Sequence, residues 1–296
     1  MSRRLSCVLL VFGCLIAPVL AQAVESASVP PHGKRVFYAS HSLMWYVPEP
    51  LGELAAAGGI KDHKLAGLQK IGASRTLQHW NLPDAQNEAK KALKTGEVDV
   101  LVMSPIQFPD EGVESFVKLG LQHNPNMRFV VQLSWGGGDT DNQDFPKGAW
   151  SNVDRNKTPD QLKKLYERNI HAGEAQADTI NRKYGQGRQI LFLVPSAQAL
   201  VALRTRIFNK QMPGVNTQGE LFVDAAHPSP PLEAFNSYLH YVVLYGQTPV
   251  GLPMPGMLKN AKHEAWDEKL NRSLQELAWE TVINYSYSGV AAAKKK

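Results

Sequence analysis

The sequence predicts an α/β fold, with a central parallel sheet covered by helices on both faces. Three observations predict it. Short apolar, β-branched runs alternate with longer amphipathic stretches, the order that builds parallel sheets. The runs lack polar alternation, as strands buried on both faces do. Ser42, Gly72, Gln107 and Trp135 each stand just after one of these runs. The fold therefore brings all four to one sheet edge, beyond the C-terminal strand ends where such sheets gather reactive groups.

The elements follow in order. Residues 35–39 (RVFYA) predict the first strand and residues 50–57 a helix. Residues 64–71 form a weaker strand pattern, and 84–95 a helix ended by Gly96. Strand 98–103 (VDVLVM) precedes helix 112–121, and strand 128–133 (RFVVQL) follows. The longest irregular stretch, 136–157, lies beyond that strand and is placed to overhang the active edge as a lid or a substrate wall. A long polar-faced helix spans 159–184 and ends at Gly185. Strand 188–194 and helix 196–209 come next, then two closing helices at 231–245 and 264–283. The sequence has no internal repeat and no second domain boundary, so 35–290 reads as one domain.

Residues 1–23 read as a secretory signal: Arg3 and Arg4, an apolar segment, and an Ala21-Gln22-Ala23 cleavage site. Secretion, or export to a periplasm, is the expectation. Residues 24–34 are a Ser/Pro-rich linker, and 291–296 a solvated basic tail. Cys7 and Cys14 both lie in the signal, which excludes disulfides, thiol nucleophiles and thiolate metal sites from the mature chain. The mature chain carries 30 basic against 27 acidic residues, too even a balance for a nucleic-acid partner. No later apolar stretch approaches the roughly 20 residues a membrane helix needs.

Two motifs carry chemistry. Ser40-His41-Ser42 follows the first strand, and Asp224-Ala225-Ala226-His227-Pro228 lies near the start of the last quarter. Ser, His and Asp are the parts of an activated hydroxyl: the imidazole takes the proton and the carboxylate orients it. The arrangement resembles the SGNH (GDSL-type) hydrolases, where a Gly-Asp-Ser or Gly-Asn-Ser follows the first strand and a C-terminal Asp-x-x-His completes the set. The resemblance implies a flavodoxin-like three-layer sandwich, with Ser42 as nucleophile, His227 as general base and Asp224 as its orienting carboxylate. It makes the backbone N–H groups of Ser42 and Gly72 oxyanion donors. It departs in two places. Ser40 stands where the family has Gly, and the Gly-x-Asn-Asp block is absent after the third strand, which runs into Ser104-Pro105-Ile106-Gln107. Gln107 offers the same amide as the family's Asn, one methylene longer. Loss of one such donor costs about 2.7–4 kcal/mol of transition-state stabilisation.

Each candidate has a plainer alternative. A serine after a strand can cap a helix, Asp224 can be a helix N-cap, and His227 a buried, satisfied histidine. His41 either contacts substrate or packs at the strand end. His79, with Arg75 and Gln78, either lines the mouth or is polar surface. Trp45, Trp80, Trp135 and Trp150 fall on loops or loop edges, where aromatics stack on sugars or pack into cores; Trp135, on the active edge, is the preferred substrate contact. Residues 139–144 have an oxygen-rich spacing but lack the glycine and distal Glu of a calcium loop, so they read as a solvated acidic loop with no metal. The resemblance implies a secreted serine esterase, without cofactor, acting on a small-molecule or polysaccharide ester, with a small acyl group such as acetyl. The rival is a non-catalytic carbohydrate-binding member of the same fold. A metal-dependent phosphoesterase lacks the His/Asp clusters it would need.

Overall fold

The five apolar runs pair as strands β1 (Arg35–Ser40), β2 (Lys64–Lys70), β3 (Val100–Ser104), β4 (Arg128–Gln132) and β5 (Leu191–Val194). The computed structural model describes residues 30–140 and 153–291. The expected signal 1–23, the linker as far as residue 29, the middle of the 136–157 stretch with Trp150, and tail residues 292–296 lie outside the described residues. Every strand pairing is parallel, in the order β2-β1-β3-β4-β5. This is the flavodoxin-like order, and the chain reverses direction across the sheet at β1 and β3, the point where such folds bind ligands.

The pleat divides the strands between two cores. Val36, Tyr38, Val102, Val130 and Val194 face one side; Phe37, Leu101, Met103, Phe129, Val131 and Leu193 face the other. Helices α1 (Pro48–Ala57), α6 (Ser196–Phe208), α7 (Pro230–Tyr245) and α9 (Glu268–Ile283) cover the first side. Helices α3 (Glu88–Lys94), α4 (Glu111–His123) and part of α5 (Pro159–Tyr184) cover the second. Helix α7 is buried almost all round, as a helix packed between a sheet and a further helix layer must be. β2 is an edge strand with an exposed outer face, Leu65 included, which is why its apolar pattern is weak.

The structure departs from expectation mainly at short elements. Helices α2 (Thr76–Trp80) and α8 (Gly256–Asn260), five residues each, carry too little periodicity to be read in advance. α3 starts at Glu88 because the Asn87 side chain accepts the Lys90 N–H, and α9 starts at Glu268 because Asp267 accepts the N–H groups of Lys269 and Leu270.

Close backbone approach fixes α4 against α2. A Cβ on Gly112 would lie 2.2 Å from Leu77 N and 2.3 Å from Thr76 C, whereas one on Gly52 in α1 would meet nothing within 4 Å. Gly112→Ala is expected to lower stability by about 1–3 kcal/mol through overpacking. Gly52→Ala is expected to be neutral or to raise it by about 0.5–1 kcal/mol through helix propensity. Urea unfolding of the two variants beside the parent checks both signs.

Candidate active site

Three strand ends fasten the turn that carries Ser42. The Ser40 carbonyl accepts Ile71 N–H at 3.2 Å and Trp45 Nε1–H at 2.8 Å. The His41 N–H donates to Ser104 Oγ at 3.1 Å, at the end of β3. His41 then caps a single 3-10 turn, Ser42–Met44, its Nδ1 accepting the Leu43 N–H at 3.3 Å.

Ser42 Oγ stands 2.9 Å from His227 Nε2, and His227 Nδ1 stands 2.7 Å from Asp224 Oδ2. The other Asp224 oxygen accepts the N–H groups of Ala226 at 2.8 Å and His227 at 2.7 Å. Burial pushes the Asp224 carboxyl up, but those two N–H donors and the His227 imidazole outweigh it and hold it below the ordinary carboxylate range. Asp224 caps no helix, since α7 begins at Pro230, and the His227 side chain is 38% exposed, so neither adopts its plainer alternative. A bridge between Phe222 and Pro228, with the Val223 N–H bonded to the His227 carbonyl at 3.0 Å, closes the loop that presents the pair.

Gly72 is exposed two residues beyond β2, and a Cβ there would meet only Trp45 Cη2, at 4.0 Å. Among the described residues no hydrogen bond uses the N–H of Ser42 or of Gly72. Gln107 is half-buried on the loop after β3, tied to the Gly72 loop by the Ile106 N–H to Ser74 carbonyl bond of 3.2 Å. Both loops are held by Asp110, whose buried carboxylate accepts the N–H groups of Thr76 (2.6 Å), Leu77 (2.9 Å) and Gly112 (2.9 Å).

Three residues expected to touch substrate are instead turned into the protein. His41 is 1% exposed, its Nε2 3.5 Å from Ser134 Oγ. His79 is 1% exposed and lies between Ser74 Oγ (2.9 Å from Nε2) and Gln69 Nε2 (3.1 Å from Nδ1). The Trp135 ring is buried under the 224–227 loop and donates its Nε1–H to the Ala226 carbonyl at 2.9 Å. All three stand at the expected edge, but each packs inward because its ring finds partners there. Arg75 reaches Glu111 Oε2 at 2.7 Å, and Gln78 accepts the Arg75 N–H at 2.8 Å. Asp139, expected in a solvated acidic loop, is buried between two arginines, its Oδ1 2.6 Å from Arg155 Nη1 and its Oδ2 2.6 Å from Arg204 Nη2; residues 141–144 lie outside the described residues.

A buried polar network behind the Ser42 turn went unread. Gln132 Nε2 donates to the Leu43 carbonyl (3.3 Å) and to Ser134 Oγ (2.8 Å). Its Oε1 accepts Asn236 Nδ2–H (2.9 Å) and bonds His240 Nε2 (2.8 Å). Asn236 also holds Tyr46 Oη at 2.9 Å and accepts from Ser196 Oγ at 2.6 Å. The available signal was a glutamine closing the apolar strand RFVVQ, with Asn236 and His240 four apart on one face of a largely apolar helix.

No protein-family model matches this chain, and no curated protein does. Solved structures do. A DUF4886 family protein from Bacteroides uniformis is similar at 13% identity and a TM-score of 0.51, over 86% of this chain and 96% of its own. That likeness shows a shared fold. A protein from Slackia heliotrinireducens, described as a candidate SGNH hydrolase, aligns at 16% identity and a TM-score of 0.43, over 71% and 97% of the two chains. WcbI, described as a polysaccharide biosynthesis enzyme, aligns at 11% identity and 0.39, over 87% and 97%. The last two scores are too low to carry an argument.

Burial sets the pH response of the fold. It pushes His41 and His240 down to about 3 and His79 to about 4, with the neighbouring His79 and His227 also lowering His41. Below about pH 6.5 the unfolded chain therefore binds protons that the folded chain refuses, so this stability is full above 6.5 and lost as pH falls. Each such histidine contributes a slope of about 1.4 kcal/mol per pH unit. Urea unfolding between pH 7 and 5 should show stability falling with acid. His79→Gln should remove about one histidine's share of that slope; an unchanged slope would contradict the neutral, buried assignment.

Proposed function

We propose that the chain is a secreted serine esterase of the SGNH type, acting on an ester with a small acyl group. The observation that carries this reading is the continuous hydrogen-bonded chain Ser42 Oγ–His227 Nε2 and His227 Nδ1–Asp224 Oδ2, at 2.9 and 2.7 Å. Such spacing permits proton transfer from the hydroxyl as it attacks. Ser42 Oγ attacks the acyl carbon while His227 Nε2 takes its proton. Asp224, held ionised, fixes the tautomer with the proton on Nδ1 and stabilises the imidazolium. The N–H groups of Ser42 and Gly72, which no hydrogen bond uses among the described residues, receive the oxyanion, with the Gln107 amide as a third donor. The imidazolium then protonates the leaving alcohol. In the second half-reaction His227 takes a proton from water as the water oxygen attacks the acyl carbon, then returns it to Ser42 Oγ as the acyl–Oγ bond breaks and the acid leaves.

A small acyl group such as acetyl is the acyl donor in this reading. The apolar leader of residues 1–23 supports secretion, and an acetylated polysaccharide suits an extracellular enzyme. The absent Gly-x-Asn block favours the competing reading, a carbohydrate-binding protein that no longer turns substrate over.

Hydrolysis of p-nitrophenyl acetate by the chain from Val24 onward, beside Ser42→Ala, separates the two. The esterase reading expects a loss in kcat of at least about 10³-fold in the variant. Equal rates in two folded proteins favour the binding reading. In an active parent, Gln107→Ala should lower kcat by about 10²-fold if its amide meets the oxyanion, and leave kcat unchanged if the backbone donors suffice.

A further inference from the structure

The Asp224 and His227 side chains are open to solvent, yet each backbone carbonyl of the loop that carries them is held. The Asp224 carbonyl accepts Arg155 Nη2–H at 3.1 Å. The Ala225 carbonyl accepts the same nitrogen at 2.5 Å and the Gly138 N–H at 2.6 Å. The Ala226 carbonyl accepts Trp135 Nε1–H, and that of His227 accepts the Val223 N–H. Apart from Val223, every donor comes from the connection between β4 and α5.

Arg155 is itself fixed from below. Its Nη1 bonds Asp139 Oδ1 at 2.6 Å, and its guanidinium lies 3.8 Å over the Phe222 ring. The same Asp139 holds Arg204 through both oxygens, at 2.8 and 2.6 Å, while Arg204 also donates to Gln218 Oε1 and to the Arg155 carbonyl, each at 2.7 Å. The side chains of Arg155, Asp139 and Arg204 are 9%, 2% and 0% exposed. Two buried guanidiniums share one carboxylate, so carbonyl oxygens must complete their solvation, and two of those carbonyls belong to the catalytic loop. Movement of the loop would strip a buried cation of its acceptors, which costs more than an ordinary hydrogen bond returns.

We propose that Arg155 is the positioning residue of the acid–base loop: by bridging the Asp224 and Ala225 carbonyls from an anchored guanidinium, it fixes the His227 imidazole at hydrogen-bond distance from Ser42. This rests on the esterase reading of Ser42, His227 and Asp224. The planar fork is essential, because one lysine ammonium cannot hold Asp139 and two carbonyls in the same geometry.

The test uses the parent, Arg155→Ala and Arg155→Lys, with folding checked by circular dichroism. Two readouts are taken: kcat and KM for p-nitrophenyl acetate, and the low-field proton resonance of His227 Nδ1–H, assigned by its absence in His227→Gln. Misplacement of an acid–base pair predicts kcat down by roughly 10²-fold with KM within about twofold in both variants. Millimolar guanidinium should partly restore Arg155→Ala, a rescue that general destabilisation would not give. The low-field resonance should broaden or vanish. A folded Arg155→Ala with parental kcat and resonance overturns the proposal. If Arg155→Ala does not fold, Arg155→Lys decides by the same readouts. If the parent shows no turnover above Ser42→Ala, the esterase reading fails instead. The resonance alone then judges Arg155: its loss in the variants upholds the positioning role and its persistence overturns it.

Discussion

β1 is paired on both sides, and that constraint organises the site. With β2 on one flank and β3 on the other, the chain leaving Ser40 has no free sheet edge to follow and must turn at once. The bonds that close the turn come from both neighbours: Ile71 N–H, after β2, reaches the Ser40 carbonyl, and Ser104 Oγ, ending β3, takes the His41 N–H. Ser42 is thereby presented between the loops that bring Gly72 and Gln107. The parallel order, not any single motif, brings the Ser42 turn and the loops after β2 and β3 to one edge.

Beneath that edge the protein buries many polar groups, most of them with their partners present, although the Ser40 hydroxyl and His240 Nδ1 find none among the described residues. Gln132 bonds Asn236 and His240 Nε2 behind the Ser42 turn; Asp110 takes three backbone N–H groups between α2 and α4. Burying such groups unpaired would cost a few kcal/mol each, so the paired networks define one arrangement of the loops and penalise others. Burial also separates the histidines. His41, His79 and His240 are driven far below their ordinary range and stay neutral, whereas His227 stands at the surface beside a carboxylate. One residue type serves as packing in three places and as a candidate proton carrier in the fourth, divided by exposure and by the Asp224 carboxylate beside His227.

That division explains what was legible in the sequence. The inner strands could be read because each carries an apolar run of about the length a sheet requires, and their ends gave the edge; β2, exposed at the sheet edge, showed only a weak pattern. Ser42 with Asp224-x-x-His227 could be read because the roles demand those residue types at a spacing one turn can close. Position at a strand end, however, gives the edge and not the side-chain direction. Trp135 was placed correctly in the fold but aimed wrongly, since whether a ring turns out to solvent or in under a loop depends on the chain that passes over it ninety residues later. His41 and His79 fail for the same reason. Asp139 looked solvated because its neighbours in sequence are polar, while its partners, Arg155 and Arg204, come from other elements.

An exposed Asp–His pair needs bracing that the core cannot give. The Asp224 and His227 side chains are 47% and 38% exposed, so side-chain packing supplies little of the restraint that a 2.9 Å contact with Ser42 requires. The loop is instead held through its backbone, by donors from the connection that follows β4. Exposure of these side chains and burial of their supports are two consequences of one arrangement: the Asp224 and His227 side chains are left open to solvent, and the loop carbonyls bear the geometry. The connection between β4 and α5, expected to act above the site, contributes through its described ends from below, where an arginine, a tryptophan and a glycine N–H hold successive residues of the loop.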